Sequence, residues 1–197
     1  MLVPTTSSCA KMDVQSAFLN GYINELVYVE QPPSFEDKKK PNHVYKLRKA
    51  LYGLKQALRA WYERLRDFLL SKGFKMGKVD TTLFTMKLGN VLFVMQIYVD
   101  DIIFGSTNQD FCEEFGKMMA SEFEMSMIGE LSYFLGFQIK QLKNGIFVSQ
   151  GKYIKDMLKK FRMDDAKAIS TPMGTSGSLD SDASGNMVDQ KMYRSII

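Results

Sequence analysis

Apolar and polar positions change their period along this chain, and each change marks an element. Residues 11–19 read as a strand running into a short helical turn, and 26–30 as a strand stopped by Pro32-Pro33. A charged loop over 34–42 leads to a short strand at Val44–Leu47. Leu54, Leu58, Trp61, Leu65, Phe68 and Leu69 then recur at helical spacing, which predicts the apolar stripe of an amphipathic helix ended by Gly73. Strands are predicted at about 81–88 and 91–98, with Gly89-Asn90 as their hairpin turn. The next turn is Val99-Asp100-Asp101, and the chain returns through Ile102-Ile103-Phe104. Ser106 or Thr107 is placed to cap a second amphipathic helix carrying Phe111, Phe115, Met118, Met119 and Phe123. A strand near 132–141, a hairpin signal at Asn144-Gly145 and a strand near 146–149 follow. A short helix with Tyr153, Ile154, Met157, Leu158 and Phe161 closes the ordered part.

The core order is therefore strand, helix, strand–strand, helix, strand. That is an α+β fold, the split βαβ arrangement of a ferredoxin-like antiparallel sheet with helices on one face. Such a fold hosts many functions and assigns none by itself. Residues 1–10 read as an irregular leader, and 170–190, rich in Ser, Gly, Asp and Thr, as a flexible linker.

Composition narrows the function classes. At 197 residues the chain can bury a sizeable core, and 45% hydrophobic with 24% charged residues is ordinary globular usage. No uninterrupted apolar run approaches the ~20 residues of a membrane helix, and the first residues lack the pattern of a signal peptide. Cys9 and Cys112 with His43 build neither a disulfide framework nor a zinc site, so an intracellular, reducing compartment is expected. The fourteen methionines read as adaptable packing.

The net charge of +4 conceals an asymmetry. Residues 38–78 hold thirteen basic and two acidic side chains, a net of +11, which leaves −7 for the remainder. Basic charge concentrated in one segment is the footprint of a polyanion partner. Lys38-Lys39-Lys40 alone reads as a solvated lysine-rich loop. Arg48, Lys49, Lys55, Arg59, Arg64 and Arg66, spread over a strand and a helix, carry the nucleic-acid reading.

The sharpest chemical signal is Asp100-Asp101 between two β-forming apolar runs. Adjacent like charges there are costly, and a hard cation such as Mg²⁺ removes the cost by taking carboxylate oxygens. A solvated Asp-Asp turn closing a hairpin is the plain alternative. A third acid in a similar setting, Asp13 within Met12-Asp13-Val14, favours the metal. Successive strand residues point to opposite faces, so a bridging role is expected first for Asp13 and Asp100, with Asp101 secondary.

These residues lie in an order that resembles the reverse transcriptases of copia-type long-terminal-repeat retrotransposons. The matching pieces are Met12-Asp13-Val14 with Ala17-Phe18-Leu19-Asn20-Gly21, Val27-Tyr28-Val29-Glu30-Gln31-Pro32, and Leu51-Tyr52-Gly53-Leu54-Lys55-Gln56-Ala57 with Trp61-Tyr62. Tyr98-Val99-Asp100-Asp101, Phe134-Leu135-Gly136 with Ile139, and Ser149-Gln150 with Lys152-Tyr153-Ile154 complete the set.

The resemblance implies an RNA-directed DNA polymerase palm over 11–140, the start of a thumb over 141–172, and a linker over 173–197 toward a ribonuclease H domain. It implies nucleotidyl transfer from a dNTP to a primer 3′-hydroxyl with two Mg²⁺, which Mn²⁺ can replace, held by Asp13, Asp100 and Asp101. Phe18 becomes a gate against the 2′-hydroxyl, or else a core residue beside Leu19. Tyr52, Gly53 and Gln56 contact the nucleotide. Lys55, Arg59, Tyr98, Leu135 and Gly136 contact the nucleic acid, with cross-strand packing the other role open to Tyr98. Trp61 reads as a core anchor. The implied partners are an RNA or DNA template–primer, dNTP and the integrase and ribonuclease H of a Pol polyprotein, in a cytoplasmic virus-like particle, with no membrane. Two departures are expected to matter: Leu58 stands where the family usually has proline, and only 12 residues precede Asp13, which leaves the fingers largely missing. The competing expectation is a catalytically silent remnant that keeps the palm fold and nucleic-acid binding.

Overall fold

A computed structural model describes residues 9–142, 145–170, 185, 187 and 189–195. In the first strand, β1 (Cys9–Val14), Met12 and Val14 are buried while Lys11 and Asp13 are half-buried, the period-two alternation of a strand with one face on a core. A single 3-10 turn, Ala17–Asn20, follows. Two short strands, β2 (Tyr28–Val29) and β3 (Tyr45–Lys46), pair antiparallel. Helix α1 (Ala57–Ser71) leads into β4 (Lys75–Met76), β5 (Leu83–Leu88), β6 (Val91–Tyr98) and β7 (Asp101–Ser106). Helix α2 (Gln109–Glu122) returns the chain to β8 (Met125–Glu130). Then come β9 (Tyr133–Phe134), β10 (Phe137–Leu142), β11 (Gly145–Ser149) and α3 (Gly151–Lys160).

Six strands form one antiparallel sheet in the order β4-β5-β6-β7-β1-β8, so the first strand lies between two that come late in the chain. A smaller sheet has the order β11-β10-β9. One face of the large sheet buries Met12, Phe93, Met95, Ile97, Ile102 and Phe104 against Trp61, Leu65 and Leu69 of α1 and Phe115 and Met119 of α2. Phe93 touches four other rings, those of Phe74, Phe104, Phe111 and Phe115, at centroid distances of 4.9–5.7 Å. Each such contact contributes ~0.5–1.5 kcal/mol beyond area burial, so this cluster anchors the sheet. The chain divides into two units, Met1–Tyr153 and Ile154–Ile197; the second holds a short helix, α4 (Gln190–Arg194), capped by the Asp189 side chain. Among the described residues no helix is long and apolar enough to cross a membrane.

Several expectations are corrected. The buried face of α1 is Ala57, Ala60, Trp61, Leu65, Phe68 and Leu69; Leu58 is 49% exposed and off the stripe. The helix begins at Ala57, so Leu54 of the expected stripe belongs to its approach. Small residues at 57 and 60 let the 3-10 turn dock closely: a Cβ on Gly21 would stand 2.6 Å from backbone atoms of Ala60 and Trp61. The second helix is capped by Asn108, whose side chain accepts from the Asp110 amide. Ser106 and Thr107 are occupied elsewhere, their hydroxyls accepting from the amides of Asn108 and Leu92. Residues 81–82 form a turn gathered by the Asp80 carboxylate, which accepts from the Thr82 amide and hydroxyl at 2.8 and 2.6 Å. The strand expected near 132–141 is broken by a turn at Leu135-Gly136, both at positive φ. Residues 9–10 of the supposed leader belong to β1; residues 1–8, Asn144 and most of the expected linker lie outside the described residues.

Candidate active site

The ladder register assembles the acids. Tyr98 pairs with Asp101, Asp101 with Asp13, and Asp13 with Ser126, so four strands (β6, β7, β1, β8) contribute one row of side chains to the sheet face opposite the helices. Residues directly opposite on antiparallel strands point the same way, and this is what joins positions 13 and 101. Asp13 thus faces Asp101 across the ladder, while Asp100 sits exposed in the turn beside them. The Gln15 amide donates to the Ser126 hydroxyl at 2.6 Å and closes the β8 end of the row.

The turn that carries Asp100 is strained and pinned. Val99 has φ 59°, a left-handed conformation that is unfavourable for a β-branched residue. Its carbonyl accepts a hydrogen bond from the Trp61 indole N–H at 2.7 Å, and the Asp100 carbonyl accepts from the Val14 amide at 3.1 Å. Helix α1 and strand β1 therefore hold the two turn carbonyls from different sides. Trp61 is buried, as a core anchor should be, yet its one polar atom is aimed at the site. Sequence periodicity identifies the anchor and is blind to the N–H.

Electrostatics converge on Asp13. Burial raises its carboxyl above the ordinary 3.8; Asp100 and then Asp101 raise it further, Lys11 lowers it, and a side-chain hydrogen bond with Asp101 favours the neutral form. Lys11 occupies the same strand face two residues before Asp13, and its Nζ lies 2.8 Å from Asp101 Oδ1. The period-two rule applied to 11 and 13 would have found this lysine from sequence alone. Among the described residues no group of three His, Cys, Asp or Glu side chains stands ready to cage a metal. The donor chemistry nonetheless fits a hard divalent cation: two carboxylates face each other across neighbouring strands, a third adjoins them, and their mutual repulsion is relieved by positive charge.

Phe18 meets the Tyr52 ring at a tilt, with centroids 4.8 Å apart, and packs half-buried against both apolar clusters. Tyr52 is 58% exposed. Gly53 has φ 90° with open space around it, so glycine is required there by backbone conformation and not by a close neighbour. Gln56 is the N-cap residue of α1, and Lys55 is exposed. Arg59 is paired with Glu25, Arg64 with Glu122, and Arg66 with Asp67, so much of the basic helix face is already neutralised within the chain. Tyr98 packs edge-on against Phe134 at 6.1 Å. Together with Leu135, Val99, Trp61 and Leu58 these rings line a mostly apolar cavity of about 450 Å³ that joins the acid turn to the Leu135-Gly136 turn. Leu58 falls in the first turn of α1, where a proline would have cost no helical hydrogen bond, so the helix forms with either residue.

Comparison with known proteins identifies the family. Residues 3–175 match the reverse transcriptase (RNA-dependent DNA polymerase) family. The chain is 41% identical over 95% of its length to the retrovirus-related Pol polyprotein from transposon RE1 of Arabidopsis thaliana, and 39% identical over 95% to that from transposon RE2. It is 33% identical over 83% to the corresponding polyprotein from transposon TNT 1-94 of Nicotiana tabacum. The chain spans only 12–13% of the length of these relatives. With the family match covering residues 3–175 and these relatives matched over most of the chain, this chain belongs to the reverse transcriptase family, in its copia-type retrotransposon branch.

Proposed function

We propose that the chain is the polymerase palm of a retrotransposon Pol polyprotein, transferring nucleotides from dNTP to a primer 3′-hydroxyl under the direction of an RNA or DNA template. The observation that carries this reading is Asp13 opposite Asp101 on adjacent strands, with Asp100 in the adjoining strained turn. A ferredoxin-like palm is supported by the order β8-β1-β7-β6, with α1 connecting β1 toward β6 and α2 connecting β7 to β8. Asp13, Asp100 and Asp101 would hold two Mg²⁺ or Mn²⁺. When bound, such ions activate the attacking oxygen and neutralise the leaving pyrophosphate.

The chain's own residues do the positioning. Trp61 and Val14 hold the turn so that Asp100 and Asp101 keep their aim. Phe18, braced by Tyr52, borders the sugar and excludes a 2′-hydroxyl, with Gly53 and Gln56 beside the nucleotide. Lys55 meets the nucleic-acid backbone, Arg59 does so on leaving Glu25, and Tyr98, Leu135 and Gly136 lie along the primer. Integrase and ribonuclease H segments of the same polyprotein, in a cytoplasmic particle, are the proposed surroundings.

The test is a chimera in which this chain replaces the matching segment of an active copia-type polymerase, assayed for extension of oligo(dT) on poly(rA) with Mg²⁺ or Mn²⁺. Extension is expected, and Asp100→Asn abolishes it. A chimera that binds primer–template and extends nothing supports the silent remnant instead.

A further inference from the structure

We propose that Lys11 is a resident counter-ion of the acid site, an ammonium group that a divalent cation must displace from Asp101 before the carboxylates can take it up. This rests on the metal reading above and adds a competitor to it.

Lys11 and Asp13 share one face of β1, and Lys11 pairs across the ladder with Ile103, two residues beyond Asp101. The lysine therefore lies diagonal to Asp101 and reaches it at 2.8 Å. This is not a free surface pair: the two side chains are only 17% and 20% exposed. In the same row as Lys11 the neighbouring strands offer Ile103, Gln96 and Gly129, none of them an acid. Its ammonium accordingly belongs to the cluster of Asp13, Asp100 and Asp101. With Lys11 in place that cluster carries a formal charge of −2, which one divalent cation balances; without it the charge is −3. A lysine suits the role of placeholder. Its charge is compact and its stem flexible, whereas arginine's planar fork would grip the carboxylate bidentately. When a cation takes Asp101 Oδ1, the ammonium swings away and no covalent bond changes.

The consequence is a metal affinity set below what three acids alone would give. Even at the dielectric of water, a unit positive charge about 6 Å from a dication weakens binding by roughly tenfold. The experiment is a Mn²⁺ titration of the 197-residue chain, reading the free-ion paramagnetic resonance signal, for the native protein, Lys11→Met, Lys11→Gln, Lys11→Arg and Asp101→Asn. Lys11→Met is expected to bind at least about tenfold tighter and Lys11→Arg no tighter than native. Thermal melts give a second readout. Metal-free Lys11→Met should melt below the native protein and be raised further by Mn²⁺ than the native protein is. Should Lys11→Met fail to fold, Lys11→Gln, which keeps a polar group at that point, carries the same expectation. Equal affinity for native and Lys11→Met, or weaker binding by the variant, overturns the competition while leaving the metal site standing. Absence of Mn²⁺ binding by every protein, variants included, overturns this proposal and the metal reading together.

Discussion

Replacing Trp61 by phenylalanine separates the two tasks of that side chain. Phenylalanine keeps an aromatic ring in the core, where Trp61 stands edge-on to Phe123 at 5.2 Å, and deletes the N–H that holds the Val99 carbonyl. The lost ring area, roughly 40 Å² at about 25 cal/mol per Å², costs ~1 kcal/mol. The orphaned carbonyl costs ~1–3 kcal/mol, toward the lower end because the bond is only part-buried and water can reach the oxygen. The expected total is ~2–3 kcal/mol, read as a shift in the urea midpoint with an unchanged slope. The turn should respond more than the core does. Amide hydrogen exchange at Val99–Asp101 is expected to accelerate, while the amides of Leu65 and Leu69 change only with global stability. A double-mutant cycle with Val99→Gly sharpens the test. Glycine accepts the positive φ without strain, so the pin matters less once it is present, and the two substitutions should be coupled by at least about 0.5 kcal/mol. Strict additivity, with turn exchange no faster than the core's, would refute the pin and leave Trp61 as an anchor alone.

Asp13→Asn is expected to stabilise the metal-free protein at neutral pH. The folded-state carboxyl titrates above its ordinary 3.8, so the native state holds more protons than the unfolded state between those values, and stability falls as pH rises through that window. The amide removes this loss, so its gain in the denaturation midpoint should shrink as pH falls toward 3.8; a variant less stable than native at pH 7 would contradict the reading. For nucleic-acid binding, Lys55→Ala should flatten the log–log salt dependence of duplex affinity by about one, while Arg66→Ala, whose charge Asp67 already meets, leaves the slope unchanged. Equal effects from the two would mean the internal ion pairs dissolve on binding.

What was legible in the sequence divides along physical lines. Helices and hairpins with strong periodicity, such as α1 and the β5–β6 pair around Gly89-Asn90, were readable because side-chain burial imposes the period directly. Their edges were not. The cap at Asn108 depended on what Ser106 and Thr107 were already bonded to, and the break at Leu135-Gly136 on a leucine accepting positive φ. The three acids were legible from their apolar settings and order. Which two face each other was not, because register is set by pairing between strands far apart in the chain: β1 meets β7 so that 13 opposes 101. The basic helix looked like a bare cationic face because its acidic partners, Glu25 and Glu122, come from other elements.

The place of β1 in the sheet also governs when the site can exist. Its two neighbours, β7 and β8, begin at residues 101 and 125, so during synthesis the strand bearing Asp13 has nothing to pair with until most of the chain has left the ribosome. Contacts of such long sequence separation are slow to close, and an apolar strand left waiting is exposed to wrong partners. The hairpin β6–β7, local and strongly apolar, is the natural early structure, with β1 inserting beside it and β8 sealing the other edge. Folding and assembly of the acid row are then one event: a molecule whose first strand has not docked has no carboxylate pair.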